Sequence, residues 1–152
     1  GLRETRWPGR LETIKPDTLT VVDVGHTPDG VRQSLASLKA IHGAEDWILV
    51  LGISSDKKAD EIVGALAPSF GTIICTRAHH KGADAAAIAS SVRRANPHAD
   101  IRIAATVAEA VAMSQQLAAA QQRKIYVAGG LFLAIEYATV ANGGRAEDLK
   151  FF

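Results

Sequence analysis

The stretch Trp47-Ile48-Leu49-Val50-Leu51-Gly52-Ile53 is apolar from end to end, without the alternation of a strand that shows one face to water. A strand of that kind has to be covered on both faces, as happens where helices flank a parallel sheet. Shorter, mainly apolar runs at 19–24, 72–76, 101–104 and 124–128 also read as strands, and each is followed by a stretch of helical periodicity. Those stretches run from Thr27 to Gly43 and over 57–67, 84–94, 106–121 and 131–140. The alternation predicts an α/β three-layer sandwich with a mainly parallel sheet of about six strands and helices on both faces. The segment 11–14, turned towards 19–24 by Pro16-Asp17, is the expected antiparallel edge strand.

Local punctuation supports these boundaries. Thr27-Pro28-Asp29 combines a hydroxyl cap, a proline for the first helical position and an acid for the first turn, and Gly43 closes that helix. Pro68 stops the second helix, Asn96-Pro97 the third, and Thr106 with Glu109 has the spacing of a capping box. Gly129-Gly130 breaks the chain between the last strand and the last helix.

The 152 residues suit one domain, and 47% hydrophobic with 22% charged residues excludes a disordered or fibrous chain. Seventeen basic and sixteen acidic residues are interspersed, so no basic stripe points to nucleic acid or a membrane surface. Cys75, the only cysteine, lies in an apolar run and reads as a small core residue, so no disulfide forms within one chain. No apolar run is long enough to span a membrane and the N-terminus is not signal-like, so a cytoplasmic protein is expected.

In open parallel sheets ligands bind beyond the carboxyl ends of the strands. Those ends carry 23–27, 52–57, 76–81 and 128–130. The first, DVGHTPDG over 23–30, sets Asp23 and His26 before a helix start whose free amides favour a phosphate or carboxylate. Asp23 and His26 serve equally well, on local grounds, to satisfy turn amides while Thr27 caps the helix. Lys57 and Lys58 stand at another helix start, where cations are unfavourable unless an anion faces them, although a solvated lysine beside an Asp56 cap is the commoner case. His79-His80-Lys81 lacks metal-ligand spacing and reads as a mobile polar loop; no metal-binding residues are expected. Gly129-Gly130 suits close approach of a ligand or tight packing. Neither a P-loop nor a Gly-x-Gly-x-x-Gly fingerprint is present.

Taken in order, WPGR (7–10), DVGHTPDG, LGISSDKKAD (51–60), CTRA (75–78) and VAGGLFLAIE (127–136) resemble the C-terminal domain of folylpolyglutamate and dihydrofolate synthases, members of the Mur ligase superfamily. The likeness runs from Trp7 to about Val140, and HTPD also looks like the corresponding motif of peptidoglycan Mur ligases. It implies a Rossmann-like fold over 11–152, preceded by a remnant of an interdomain linker over 1–10, in a chain cut from a longer enzyme. It implies an ADP-forming ligase that uses ATP and Mg2+ to make an acyl phosphate from folate, which the amine of glutamate then attacks. The P-loop and the metal ligands would lie in an N-terminal ATPase domain, leaving this domain inactive alone and monomeric.

The resemblance also implies residue roles. Arg10 would contact ATP, Asp23 would accept hydrogen bonds from its ribose hydroxyls, and His26 would lie near the phosphates. Lys57 would steady the acceptor carboxylate or the developing charge, with Thr27 and Gly130 beside the acceptor. The family usually reads Asp-Gly-Ala-His-Asn-Pro and Gly-Ser-Leu-Tyr where this chain has Asp23 to Pro28 and Gly129 to Phe132, so two polar side chains are absent at the last turn. Two other readings of the scaffold are a stand-alone nucleotide- or anion-binding module and a peptidoglycan-type Mur domain. A phosphorylation receiver would need clustered acids after the first strand and a lysine after the last one.

Overall fold

A computed structural model describes residues 11–14, 18–55 and 58–149. Arg10 with the whole of 1–10, the expected Pro16-Asp17 turn within 15–17, Asp56, Lys57 and the end of the chain from Lys150 lie outside the described residues. The element order is β1 (Glu12–Thr13), β2 (Thr20–Val22), α1 (Pro28–His42), β3 (Trp47–Leu51), α2 (Ala59–Leu66), β4 (Thr72–Cys75), α3 (Ala85–Ala95), β5 (Asp100–Ile103), α4 (Val107–Gln121), β6 (Lys124–Ala128) and α5 (Leu131–Ala141). One six-stranded sheet has the order β1-β2-β6-β3-β4-β5, parallel throughout except for β1 against β2. The expected architecture is present, including its antiparallel edge.

The last strand lies in the middle of the sheet, with Tyr126 opposite both Val21 of β2 and Leu49 of β3. Side-chain alternation then divides the core in two. Val21, Leu49, Leu51, Ile73 and Tyr126 face α1, α2 and α3, whereas Val22, Ile48, Val50, Ile74 and Val127 face α4 and α5. Every residue of β3 is buried, as its unbroken apolar run requires. Cys75 is fully buried, and loss of water pushes its thiol up to about 12 against a small opposing effect of Arg93.

Helix boundaries follow the capping residues. The Thr27 hydroxyl accepts from the Gly30 N–H, the Asp84 carboxylate from Ala87 and the Thr106 hydroxyl from Glu109. The Glu109 carboxylate reaches back to the Ala105 N–H, one residue before the cap. The second helix is shorter than its 57–67 periodicity suggests. It begins at Ala59, after Lys58 with no side-chain cap, and tightens into a 3-10 turn over Ala67–Ser69 that accommodates Pro68.

A closed polar network joins the sheet to the α4–α5 face. The Ser114 hydroxyl donates to the Ala110 carbonyl at 2.6 Å, which leaves its oxygen to accept from Tyr137 at 2.7 Å. Gln115 Nε2 donates to both the Tyr137 oxygen and Thr20 Oγ1, each at 3.1 Å. Burial raises the Tyr137 phenol above its ordinary range, opposed by its bonds to Ser114 and Gln115. Replacing Tyr137 with Phe removes the buried bond to Ser114 and one acceptor of the half-buried Gln115, and should destabilise the fold by about 1–2 kcal/mol. The check is a lower urea midpoint at unchanged slope; an unchanged midpoint would show that the network contributes nothing.

Candidate functional site

The direction in which the chain leaves each strand decides where a crevice can form. From β2, β3 and β4 it passes to helices on the α1–α2–α3 face, and from β5 and β6 to the α4–α5 face. Because β6 sits between β2 and β3, the chain diverges to opposite faces on both sides of the β6 carboxyl end. Divergence of this kind is what opens a ligand crevice in a parallel sheet. The segments that meet there are the turn after β2, the turn after β6 and the loop after β3.

After β2 the backbone continues alongside β6, with the Asp23 N–H donating to the Val127 carbonyl at 2.9 Å. The Asp23 side chain is fully buried. Its Oδ2 accepts from the Gly25 N–H at 3.1 Å, and its Oδ1 accepts from the Ser34 hydroxyl at 3.0 Å, one and a half turns into α1. The turn over 24–27 thus wraps around Asp23, whose carboxylate ties it to α1. Gly25 is required by the same contact, since a Cβ there would sit 2.7 Å from Asp23 Oδ2.

What the turn does present to solvent is His26 and Thr27. The Val24 carbonyl can only accept, so His26 Nδ1 carries a proton towards it at 3.3 Å, and the ring donates a second hydrogen bond from Nε2 only as imidazolium. Thr27 Oγ1 accepts from Gly30 N at 3.0 Å and keeps its own proton for another acceptor. Both groups adjoin the N-terminus of a 15-residue helix, whose dipole favours an anion.

Gly129 and Gly130 are shaped first by packing. Gly129 has φ +111°, and a Cβ on it would stand 2.8 Å from the Gly52 carbonyl oxygen. A Cβ on Gly130, which is extended, would stand 3.1 Å from the same atom. The double glycine thus seats the α5 entry against the loop after β3.

The loop holding His79-His80-Lys81 is tied down, contrary to the expected mobile segment. Ser55 N donates to the Lys81 carbonyl and Ala83 N to the Ile53 carbonyl, each at 2.8 Å, and Ser54 bridges Gly82. Glu136 of α5, which is fully buried, accepts from the His79 N–H at 2.6 Å and the His80 N–H at 2.9 Å. Sequence reasoning passed over Glu136 and Ser34. Their signal was a lone carboxylate in the apolar helix LFLAIEYATVA and a serine at a core-facing position of α1.

Away from these segments, a cavity of about 690 Å³ opens at the ends of β4 and β5, lined by Arg77, Ala78, His79, Thr106, Val107 and Arg145 among others. It lies two strands or more from the β2–β6 crevice. Among the described residues no cluster of three His, Cys, Asp or Glu side chains is arranged to hold a metal ion, and no helix is long and apolar enough to cross a membrane.

Comparison with known proteins agrees with this fold. The model of the family described as Mur ligase, glutamate ligase domain, matches residues 9–131, and the chain belongs to that family. It is 33% identical over 96 residues, 63% of its length, to a probable bifunctional folylpolyglutamate synthase/dihydropteroate synthase of Haloferax volcanii. It is also 33% identical over 73 residues, 48% of its length, to the folylpolyglutamate synthase of Lacticaseibacillus casei. The matched segments make up 11% and 17% of those relatives. A solved structure of the Mycobacterium tuberculosis folylpolyglutamate synthase, described as complexed with ADP and AMPPCP, superposes over 92% of this chain and 33% of its own with a TM-score of 0.74 at 26% identity.

The packing of the two glycines yields a direct comparison. Gly129→Ala combines a positive φ with a backbone clash and should cost roughly 2–3 kcal/mol, whereas Gly130→Ala, without the backbone strain, should cost distinctly less. Thermal melts of the two variants measure the difference; equal losses would contradict the assignment.

Proposed function

We propose that this chain is the C-terminal domain of an ADP-forming, ATP-dependent ligase that adds glutamate to folate. The supporting observation is the convergence at the β6 end of an exposed imidazole, a helix N-terminus and the loop that leads to Lys57. The relatives' names supply the substrate class. In this reading a P-loop domain at the N-terminal side, joined through a linker over 1–10, binds ATP and Mg2+, and this domain closes over the nucleotide in a cytoplasmic, monomeric enzyme.

Each proposed role follows from the chemistry of the step. ATP phosphorylates the folate carboxylate, and the glutamate amine attacks the acyl phosphate, so negative charge builds on the carbonyl oxygen while phosphate leaves. His26 as imidazolium donates to a phosphate oxygen from Nε2, with Nδ1 anchored on Val24. Arg10 offers its fixed pair of donors to ATP near the domain boundary. Lys57 neutralises the acceptor carboxylate or the developing oxyanion, and Thr27 gives its free hydroxyl proton to the acceptor. Gly130 contributes backbone alone, in place of the serine usual in the folate branch. Asp23 acts through the turn it holds: its buried carboxylate keeps His26 and Thr27 at the mouth of the crevice. Closure excludes water, which would otherwise hydrolyse the acyl phosphate.

The test is ADP release by the chain joined to its P-loop domain, supplied with folate, glutamate and Mg-ATP. Release should depend on both substrates. His26→Ala should lower kcat/KM about 10–100-fold, the order expected for one charge-stabilising donor, with an unchanged melting temperature because His26 is exposed. No release with folate and glutamate, or release only with a peptidoglycan-type acceptor, would refute the folate assignment.

A further inference from the structure

Between β4 and β5 the chain parts to opposite faces a second time. From β4 it passes to α3 on the α1–α2–α3 face, and from the neighbouring parallel strand β5 to α4 on the other. The cavity of about 690 Å³ opens at that point, walled by Arg77, Ala78 and His79 after β4 and by the first turn of α4 after β5. Topology and cavity thus mark the same place independently. Parallel sheets bind ligands where neighbouring chains diverge, and small-molecule sites run from roughly 300 to 1,000 Å³. None of the residues of the β6 crevice lines this cavity.

Its walls are fixed by hydrogen bonds. The buried Thr76 donates its hydroxyl to the Thr106 carbonyl at 3.0 Å, and the Ala104 N–H donates to the Cys75 carbonyl at 2.9 Å, so the two strand ends are tied together. Glu136 holds the His79 N–H at 2.6 Å on one side, and the Thr106–Glu109 cap closes the α4 turn on the other. After α5 the chain doubles back, with the Gly144 N–H on the Thr139 carbonyl at 2.9 Å. A Cβ on Gly144 would stand 2.8 Å from Thr139 Cγ2. This tight return brings Arg145 and Ala146 to the cavity wall.

The lining defines the kind of ligand. Ala78, Val107, Val140 and Ala146 give it an apolar surface, and Arg77 and Arg145 add two guanidinium groups. Arg77 has no hydrogen bond or ion pair among the described residues. Arg145 stands 3.7 Å from Glu147 with both side chains exposed, a pairing weak enough to yield to a ligand. Two guanidinium groups against the one carboxylate of Glu147 favour an anion of single charge, and a guanidinium takes a carboxylate through two parallel N–H donors. We propose that this cavity binds a small organic carboxylate with an apolar body of ring size, the body among Ala78, Val107, Val140 and Ala146 and the acid group on Arg77 and Arg145. This ligand is distinct from ATP and glutamate, and the proposal stands independently of the ligase reading.

Nuclear magnetic resonance of the isotope-labelled chain tests it, with naphthoate as the probe. Saturable shifts are expected at the amides of Ala78, His79, Val107, Ala108 and Ala146, and none at His26 or Thr27. Naphthol, the same body without the acid, and glutamate, an acid without the apolar body, should each bind about tenfold more weakly or worse. Arg77→Ala should weaken naphthoate binding by about the same factor, with an unchanged melting temperature because the side chain is exposed. Ala108→Phe, which fills the cavity from an exposed position on α4, should abolish binding. The proposal is overturned by the absence of saturable shifts with naphthoate or by shifts confined to the His26 turn. Naphthol or glutamate binding as tightly as naphthoate, or unchanged binding in Arg77→Ala, overturns it as well.

Discussion

The insertion of β6 between β2 and β3 governs the rest of the molecule. Hydrogen bonding on both edges and burial on both faces make this last strand the centre of the sheet, and its two neighbours send their chains to the face opposite α5. The divergence of the chain at its carboxyl end, the kind of place where parallel sheets bind ligands, follows from that placement alone, before any side chain is considered. The same placement explains the Gly129-Gly130 turn, where α5 must leave beside the Gly52 carbonyl with no room for a Cβ at the first position.

Around this end of β6 the chain uses two buried carboxylates in the same way. Asp23 takes the Gly25 amide and the Ser34 hydroxyl and shapes the turn after β2, and Glu136 takes the His79 and His80 amides and shapes the loop after β4. Anchoring from beneath lets short loops hold the His26 turn and the His79-His80 loop, with both carboxylates satisfied by hydrogen bonds in the interior.

Much of the scaffold was legible because it is encoded locally. The mainly apolar strands, the Thr27, Asp84 and Thr106 caps and the breaks at Pro68 and Asn96-Pro97 each act within a few residues, and their elements appear where those signals stand, although β5, with Asp100 and Arg102, is a largely exposed edge. What escaped depends on distant partners. For Asp23 the turn-amide partner was readable locally, but Ser34 was not, because it is eleven residues away, and His79-His80-Lys81 looked loose because its anchor, Glu136, is more than fifty residues away. The shortened α2 has a local cause, since Lys58 supplies no side-chain cap. The family likeness was legible from ordered motifs, and the match over 9–131 bears it out.

The central claim is that nucleotide and acceptor meet at the carboxyl end of β6. A crystal structure of the chain joined to its P-loop domain, with a non-hydrolysable ATP analogue and glutamate bound, tests it most directly. The account predicts the terminal phosphate within hydrogen-bond reach of His26 and the glutamate carboxylate beside Lys57. Ligands seated instead in the cavity at the ends of β4 and β5, or a domain closed with the His26 turn facing solvent, would contradict it.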